Sequence, residues 1–256
     1  MSAGALSLHA LPGMPMVHPG DDIAGLIGDG LARAGLVPQD GDVVVIAQKI
    51  ISKSEGRTVL LSDVTPTPEA EELGAQIGKD PRIVQAILGE AVRVVRARPG
   101  LMIVEHKLGF VMANAGVDQS NVDGRDGQAR VLLLPEDPDG SAQAIRTQLT
   151  ARYGVHIGIV INDSFGRAWR RGTAGIAIGV AGLPGLVDLR GSPDLFGRIL
   201  EVSIIGYADE IAAAASLLMG QADEGQPVVL VRGLKWTAPE SDAQALVRPA
   251  AEDLFR

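Results

Sequence analysis

Apolar positions along this chain recur in two rhythms, and the switches between them lay out a protein of interspersed helices and strands. Residues 21–34 carry helical spacing behind the cap signal Gly20-Asp21-Asp22. After Gly41-Asp42 an apolar, largely β-branched run, VVVIAQKII, predicts a strong strand, with polar chemistry beginning as it ends. There Ser52-Lys53-Ser54-Glu55-Gly56-Arg57 sets Lys53 and Arg57 beside a turn, and residues 59–61 form a further short strand. Helical spacing returns over 68–77 and 81–88, broken by Gly78-Lys79-Asp80-Pro81.

The middle third reads as strands at 92–96, 101–106, 110–113 and 130–134, separated by turns containing glycine or proline. Pro135-Glu136-Asp137-Pro138-Asp139 then leads into a helix over 141–153, and a buried strand over 155–161 follows. The glycines of the next segment, GTAGIAIGVAGLPG, read as permitting turns and close backbone packing, with nearness to a bound ligand as the alternative, and a polar stretch, DLRGSPDLFGR, comes after it. A strand over 199–205 precedes an alanine-rich helix over 209–219 that ends at Gly220 as a C-cap, and a last strand occupies 227–232. The final twenty-odd residues read as a peripheral tail. No solenoid repeat or clean linker divides the chain, so residues 1–256 are expected to form a single domain with a core over about 11–233.

Composition narrows the function. The 256 residues are 46% hydrophobic but only 3% aromatic, which predicts an aliphatic core, and 32 glycines with 15 prolines predict many tight turns. A formal charge of −8 argues against general nucleic-acid binding, so local basic clusters read as small-anion sites. Without cysteine there can be no disulfide, zinc-thiolate site or thiol nucleophile. The N-terminal residues lack a basic and apolar leader pattern, and no run approaches the roughly 18 apolar residues of a membrane span. A cytoplasmic protein with no membrane partner is the expectation.

Candidate chemistry concentrates in IVINDSFGRAWRRG, residues 159–172. A buried strand would deliver Asp163 and Ser164 to its carboxyl end as oxygen ligands for a hard cation, with Arg167, Arg170 and Arg171 following as anion clamps. Taken alone, these residues fit a strand and a solvated basic loop equally well. In Ala113-Asn114-Ala115-Gly116-Val117-Asp118-Gln119-Ser120-Asn121, Asp118 and Asn121 are candidate ligands, or a turn residue and a capping amide. Gly220-Gln221-Ala222-Asp223-Glu224-Gly225 is an acidic turn or a loop around a nucleotide and its metal. Lys53 is a point charge for phosphate, or simply solvated. Asp209-Glu210 opens a helix, where capping is the first explanation, and His156 reads as a core or edge residue of an apolar strand. Gly74–Lys79 fails as a phosphate loop by spacing, and glycines 175, 179, 182 and 185 lack the dinucleotide spacing.

Over residues 11–233 these segments together resemble the coenzyme F420-0:gamma-glutamyl ligases. The resemblance is carried by Pro19-Gly20-Asp21-Asp22, Gly41-Asp42, Ile51-Ser52-Lys53-Ser54-Glu55-Gly56-Arg57 and residues 114–121, then by Leu134-Pro135-Glu136-Asp137-Pro138-Asp139, Asp163-Ser164-Phe165-Gly166-Arg167, and Ala208-Asp209-Glu210 leading to Met219-Gly220-Gln221. It implies an α+β (mixed α/β), non-Rossmann fold with mixed and antiparallel sheets in two intimately joined lobes. It also implies a homodimer that uses GTP and Mg2+ or Mn2+, with K+ as a further candidate ion, to add L-glutamate to coenzyme F420-0. Carried over residue by residue, the metal falls to Asp118, Asp163, Ser164 and Gln221. The nucleotide falls to Met14, Pro15, Met16, Val17, Gln48, Lys49, Lys53, Asn121, Met219, Gly220, Gln221, Ala222, Asp223, Glu224, Gly225 and Gln226. Many relatives carry threonine in place of Ser164, which keeps the hydroxyl, and some carry glutamate in place of Gln221, whose neutral amide offers a metal less charge.

The implied mechanism is amide synthesis through an acyl phosphate. By chemistry, Lys53, Arg167 and Arg171 are the candidates for phosphate or carboxylate contacts, and no residue presents itself as the general base. A metal-dependent nucleotide phosphohydrolase and a non-catalytic deazaflavin- or nucleotide-binding protein are the rival readings. Some ligases of this type carry a C-terminal flavin-binding reductase domain, and the expectation here is that none is present.

Overall fold

The computed structural model describes residues 4–122 and 126–254. In chain order the elements are β1 (Ser7–Ala10), α1 (Ile23–Arg33), β2 (Asp42–Ala47), α2 (Gln48–Ser54), β3 (Thr58–Leu60), α3 (Pro68–Ile77), α4 (Pro81–Glu90), β4 (Ala91–Arg98) and β5 (Leu101–His106). They continue with β6 (Val111–Ala113), β7 (Arg130–Leu132), α5 (Pro138–Tyr153), β8 (Ile157–Gly166), β9 (Thr173–Ala181), β10 (Val187–Asp188), β11 (Ile204–Ile205), α6 (Tyr207–Met219) and β12 (Val228–Arg232). The class is α+β.

A five-stranded mixed sheet, β1-β12-β2-β8-β9, forms the centre, with β2 and β8 parallel and the other pairs antiparallel. Both faces are covered, which is why β2 and β8 read as nearly continuous β-branched runs. Val44, Ile46, Ile159 and Ile161 pack with Ile27 and Leu31 of α1 and Leu149 of α5. Val43, Val45 and Val160 pack on the other side with Ile211, Ala212 and Ala215 of α6. At one end of the sheet Arg232 clamps the buried Asp42 through two nitrogens, at 2.6 and 2.9 Å, tying β12 to the start of β2.

A second, antiparallel sheet, β4-β5-β6, packs Met102 and Val104 against Ala70 and Ile77 of α3 and Val84 and Ile87 of α4. Its last strand, β6, leads into the segment bearing Asp118. Pairing of β3 with β7 joins this part of the chain to the turn after α2. There Arg57 donates to the Leu134 carbonyl and pairs with Glu90 at 2.7 Å, while Glu55 accepts from Ser141 and from the Glu136 amide. Those motif residues are therefore structural cross-links.

Several expectations need correction. The strand expected to run through VVVIAQKII ends at Ala47, and Gln48 begins a helix. Ile50 and Ile51 remain buried, so the apolar run conceals the change of geometry. Within the glycine-rich segment Thr173–Ala181 form a nine-residue edge strand, where the glycines serve close packing and not turns. Glycine is required at 179, where a Cβ would come within 2.5 Å of the Pro138 carbonyl oxygen. Its outward amides are satisfied by helix carboxylates: Asp139 accepts from Val180 and Asp209 from Ala177, each at 2.8–2.9 Å. Asp209 thus covers a sheet edge and does not hydrogen-bond the start of its own helix.

The strand expected over 199–205 shrinks to Ile204–Ile205, part of a projecting hairpin with β10. His156 is exposed and precedes β8. The tail is not wholly peripheral: Ala243 is fully buried, its amide donates to Asp139, and Leu246 packs against the α6 side of the core. β1 is a strand that the pattern did not announce.

Candidate active site

Strand β8 runs on through Gly166, so Asp163 and Ser164 sit inside its pairing with β9 and not beyond its end. Alternation sends them to opposite faces. Asp163 opens on a cavity of about 220 Å³ that Gln48, Asn114, Asp118 and Ser164 also line. Ser164 donates from its hydroxyl to Gln221 Oε1 at 2.8 Å, at the foot of the loop after α6.

Asp118 reaches the same cavity from a different kind of backbone. Asn114, Ala115 and Gly116 all have left-handed φ, at 53°, 53° and 67°, and Asn121 repeats this at 56°. A left-handed turn of this sort costs about 1–2 kcal/mol per non-glycine residue, so surrounding contacts must hold it. Asn114 Oδ1 accepts from the Met102 amide, and Ala115 is fully buried against the second sheet. Asp118 is bridged to the Leu132 backbone in both directions.

The Asp118 carboxylate accepts from the amide and hydroxyl of Ser120 at 2.8 Å each and pairs with Lys49 Nζ at 2.7 Å. It is therefore a turn residue and a cavity residue at once. Lys49 also donates to Ser120 Oγ at 2.6 Å. Lys53 follows four residues later on the same face of α2. Gln48, almost fully buried, accepts from Ser52 through its amide oxygen and lines the cavity together with Asp163.

The two carboxyls are pushed apart in acidity. Burial raises the pKa of the Asp163 carboxyl above the usual range, and the negative charge of Asp118 adds to this against the opposing Ser164 amide and Lys49 charge. Burial pushes Asp118 the same way, but the Lys49 ammonium and Ser120 outweigh it and hold the carboxyl low.

The loop 220–226 returns beside this site: Asn121 Nδ2 donates to the Ala222 carbonyl at 3.2 Å, and the Ala47 amide donates to the Pro227 carbonyl at 2.8 Å. Glu224 turns back on the loop and accepts from the Ala222 amide, which lowers its carboxyl pKa.

Of the residues named from the sequence, the structure therefore gathers Gln48, Lys49, Asp118, Asn121, Asp163, Ser164 and the Gln221–Ala222 turn. Arg167 and Arg171 lie at the exposed tip of the β8–β9 hairpin, where Arg167 donates to the Arg171 carbonyl. In the early segment Val17 is buried and Met14 packs on the core, while Pro15 and Met16 are exposed. Ser120, within a quoted motif, was missed as the bridge between Lys49 and Asp118.

The donor set suits a hard cation: two carboxylates, a hydroxyl and an amide oxygen, with no nitrogen or sulfur ligand. Among the described residues no group of three or more acidic or histidine side chains surrounds a point. Two carboxylates fit an ion that keeps waters or substrate phosphates as its remaining ligands.

The sequence model of the family described as F420-0:Gamma-glutamyl ligase matches residues 13–233. The chain is 47% identical to the coenzyme F420:L-glutamate ligase of Methanothermobacter thermautotrophicus, with 98% of this chain and 99% of that protein covered. It is 43% identical to the protein of the same name from Methanopyrus kandleri, covering 98% of each, and 42% identical to that of Archaeoglobus fulgidus, covering 95% and 94%.

Proposed function

From the premise that the chain belongs to the F420-0:gamma-glutamyl ligase family, we propose that it adds L-glutamate to coenzyme F420-0 in F420 biosynthesis, with GTP as phosphoryl donor. The observation that carries the reading is the convergence of Asp118, Asp163 and Ser164, with Lys49, on one cavity. Bonds join that cavity to the Gln221–Ala222 turn.

In the proposed reaction a carboxylate oxygen of F420-0 attacks the γ-phosphorus of GTP and expels GDP, and the amine of glutamate then attacks the acyl carbon of the acyl phosphate, releasing inorganic phosphate and a proton as the amide forms. Mg2+ or Mn2+ held by Asp118, Asp163, Ser164 and Gln221 would supply positive charge to the phosphate oxygens. Lys49 and Lys53 offer point charges from one helical face. Gln48 lines the cavity beside Asp163, and the left-handed turn at 114–116 carries Asp118 into it. Arg167 and Arg171, at the exposed tip of the β8–β9 hairpin beyond Ser164, are the candidates to receive the anionic tails of donor or acceptor.

The test incubates the protein with F420-0, L-glutamate, GTP and Mn2+ and follows products by mass spectrometry. Glutamate-bearing product is expected; glutamate-independent phosphate release at a native-like rate, without product, would replace the ligase by a nucleotide phosphohydrolase. We further propose a homodimer, supported by the hairpin at 187–205. Leu195 and Phe196 there are at least 95% exposed and Val202 is 85% exposed. Phe196→Asp should convert the dimer to monomer in light scattering; a wild-type monomer would end that proposal.

A further inference from the structure

Asn162, one residue before Asp163, is 5% exposed and its side chain lies on the face of β8 opposite that of Asp163. Its Nδ2 donates to Ser216 Oγ at 3.1 Å and approaches Met219 Sδ at 3.4 Å, both in the last turns of α6. Among the described residues its Oδ1 is a buried side-chain oxygen with no hydrogen-bond partner. A buried amide left half-satisfied is worse for stability than an apolar side chain of similar shape. The core therefore gains nothing from a polar group here.

The surroundings are built for it nonetheless. The register of β8 and β9 shifts between Ile161 and Asn162, and Gly175 stands opposite Ser164. A Cβ on Gly175 would fall within 2.7 Å of Asn162 Oδ1 and nearer still to the Ala212 carbonyl and Ser216 Oγ. Glycine thus opens the gap through which the amide reaches the helix. Two residues on, and on the same face, Ser164 bonds Gln221, itself two residues beyond Met219.

We propose that Asn162 is a positioning residue, fastening the carboxyl end of α6 to β8 so that Gln221 and the 220–226 loop are held over Ser164. The inference rests on the ligase reading for the identity of the substrate but not for the mechanical link. Without the fastening the helix end keeps its apolar packing through Ala212, Ala215 and Met219, so the loop loosens while the fold persists.

The test compares Asn162→Ala, Ser216→Ala and the double variant. In hydrogen–deuterium exchange, peptides covering 216–226 should exchange at least fivefold faster in Asn162→Ala, with β8 and β2 unchanged and the melting temperature maintained. In the glutamate-addition assay, KM for GTP should rise about tenfold while kcat falls less than KM rises. Ser216→Ala should give part of the effect, and the double variant should be no worse than Asn162→Ala, because both remove one bond. Unchanged exchange at 216–226 would overturn the proposal, as would a parallel loss of melting temperature and kcat with KM intact. Altered exchange in a protein that makes no glutamate product would leave the fastening standing and remove only the ligase reading.

Discussion

The two carboxylates that meet in the cavity come from opposite kinds of backbone. Asp163 rides on β8, paired with Ile176 of β9 and one residue beyond the last pair of β8 with β2, and its position follows from the sheet. Asp118 hangs on a left-handed turn between β6 and β7, held by side chains: Asn114, Ser120 and Lys49. The strand supplies a fixed carboxyl in a poorly solvated place, whose acidity falls. The turn supplies one whose acidity is strengthened by a lysine from α2. In the proposed metal site, a ligand fixed by the sheet and a ligand held by side chains would let a cation be met from one side and followed from the other.

Removing either carboxylate tests this division most strongly. Asp163→Asn keeps the shape of the side chain and is expected to cut glutamate addition by at least about 100-fold, the scale of losing a preorganised electrostatic group. Asp118→Asn should cost less, about tenfold, because Lys49 and Ser120 remain to receive phosphate. Mass-spectrometric product counts under saturating Mn2+ decide it, and equal losses in the two variants would erase the distinction.

Lys49 gives the next largest effect. Its ammonium already pairs with one Asp118 oxygen, so in the proposed site lysine and metal would compete for that oxygen. Lys49→Met should bind Mn2+ alone several-fold more tightly in calorimetry, yet turn over about tenfold more slowly for want of a phosphate contact. Weaker Mn2+ binding in this variant would mean that the lysine supports the acidic site and does not compete for it.

The same contrast explains what the sequence made legible. β8 was readable because Ile157, Ile159 and Ile161 are buried on one face and Val160 on the other, although its extension past Asn162 was hidden by polar residues that pair with β9 all the same. β9 was not readable, because Gly175 and Gly179 admit Ser216 and Pro138 at close range, and a glycine kept for a neighbour's sake looks locally like a turn. The helix at Gln48 was masked by a cap without a side-chain bond and by Ile50 and Ile51, which stay buried in either geometry. Asp118 and Asn121 were visible as residue types, but the Lys49–Asp118 and Asn121–Ala222 contacts span 69 and 101 positions, and only the fold brings them together.

Smaller effects appear in stability against pH, where the two carboxyls should act with opposite sign. Asp118 is held below its ordinary value, so its contribution is present above about pH 4 and is lost as pH falls through the lowered value. Asp163 is raised, so its contribution is full below about pH 4 and is lost as pH rises through the folded value. Asp163→Asn should therefore raise the melting temperature at neutral pH and lose that advantage near pH 3. Asp118→Asn should lower the melting temperature at neutral pH, for a stability loss of less than about 1 kcal/mol, since the pair is partly exposed and screened. Thermal unfolding across this range, with Asn variants moving in the same direction, would contradict the assignment of causes.

The smallest change tests whether the turn beneath Asp118 is held by its surroundings. Ala115 has φ 53° and no exposure. Replacing it by glycine relieves about 1 kcal/mol of left-handed strain, but forfeits about 0.8 kcal/mol of methyl burial and adds about 0.5–1 kcal/mol of chain entropy to be lost on folding. The three nearly cancel, so Ala115→Gly should destabilise by under about 1 kcal/mol in urea unfolding. Ala115→Val keeps the burial but adds β-branching at positive φ, and should cost more than the glycine variant. If instead valine were tolerated as well as glycine, the turn would be relaxing out of its left-handed form. Asp118 would then owe its place to Lys49 and not to the backbone below it.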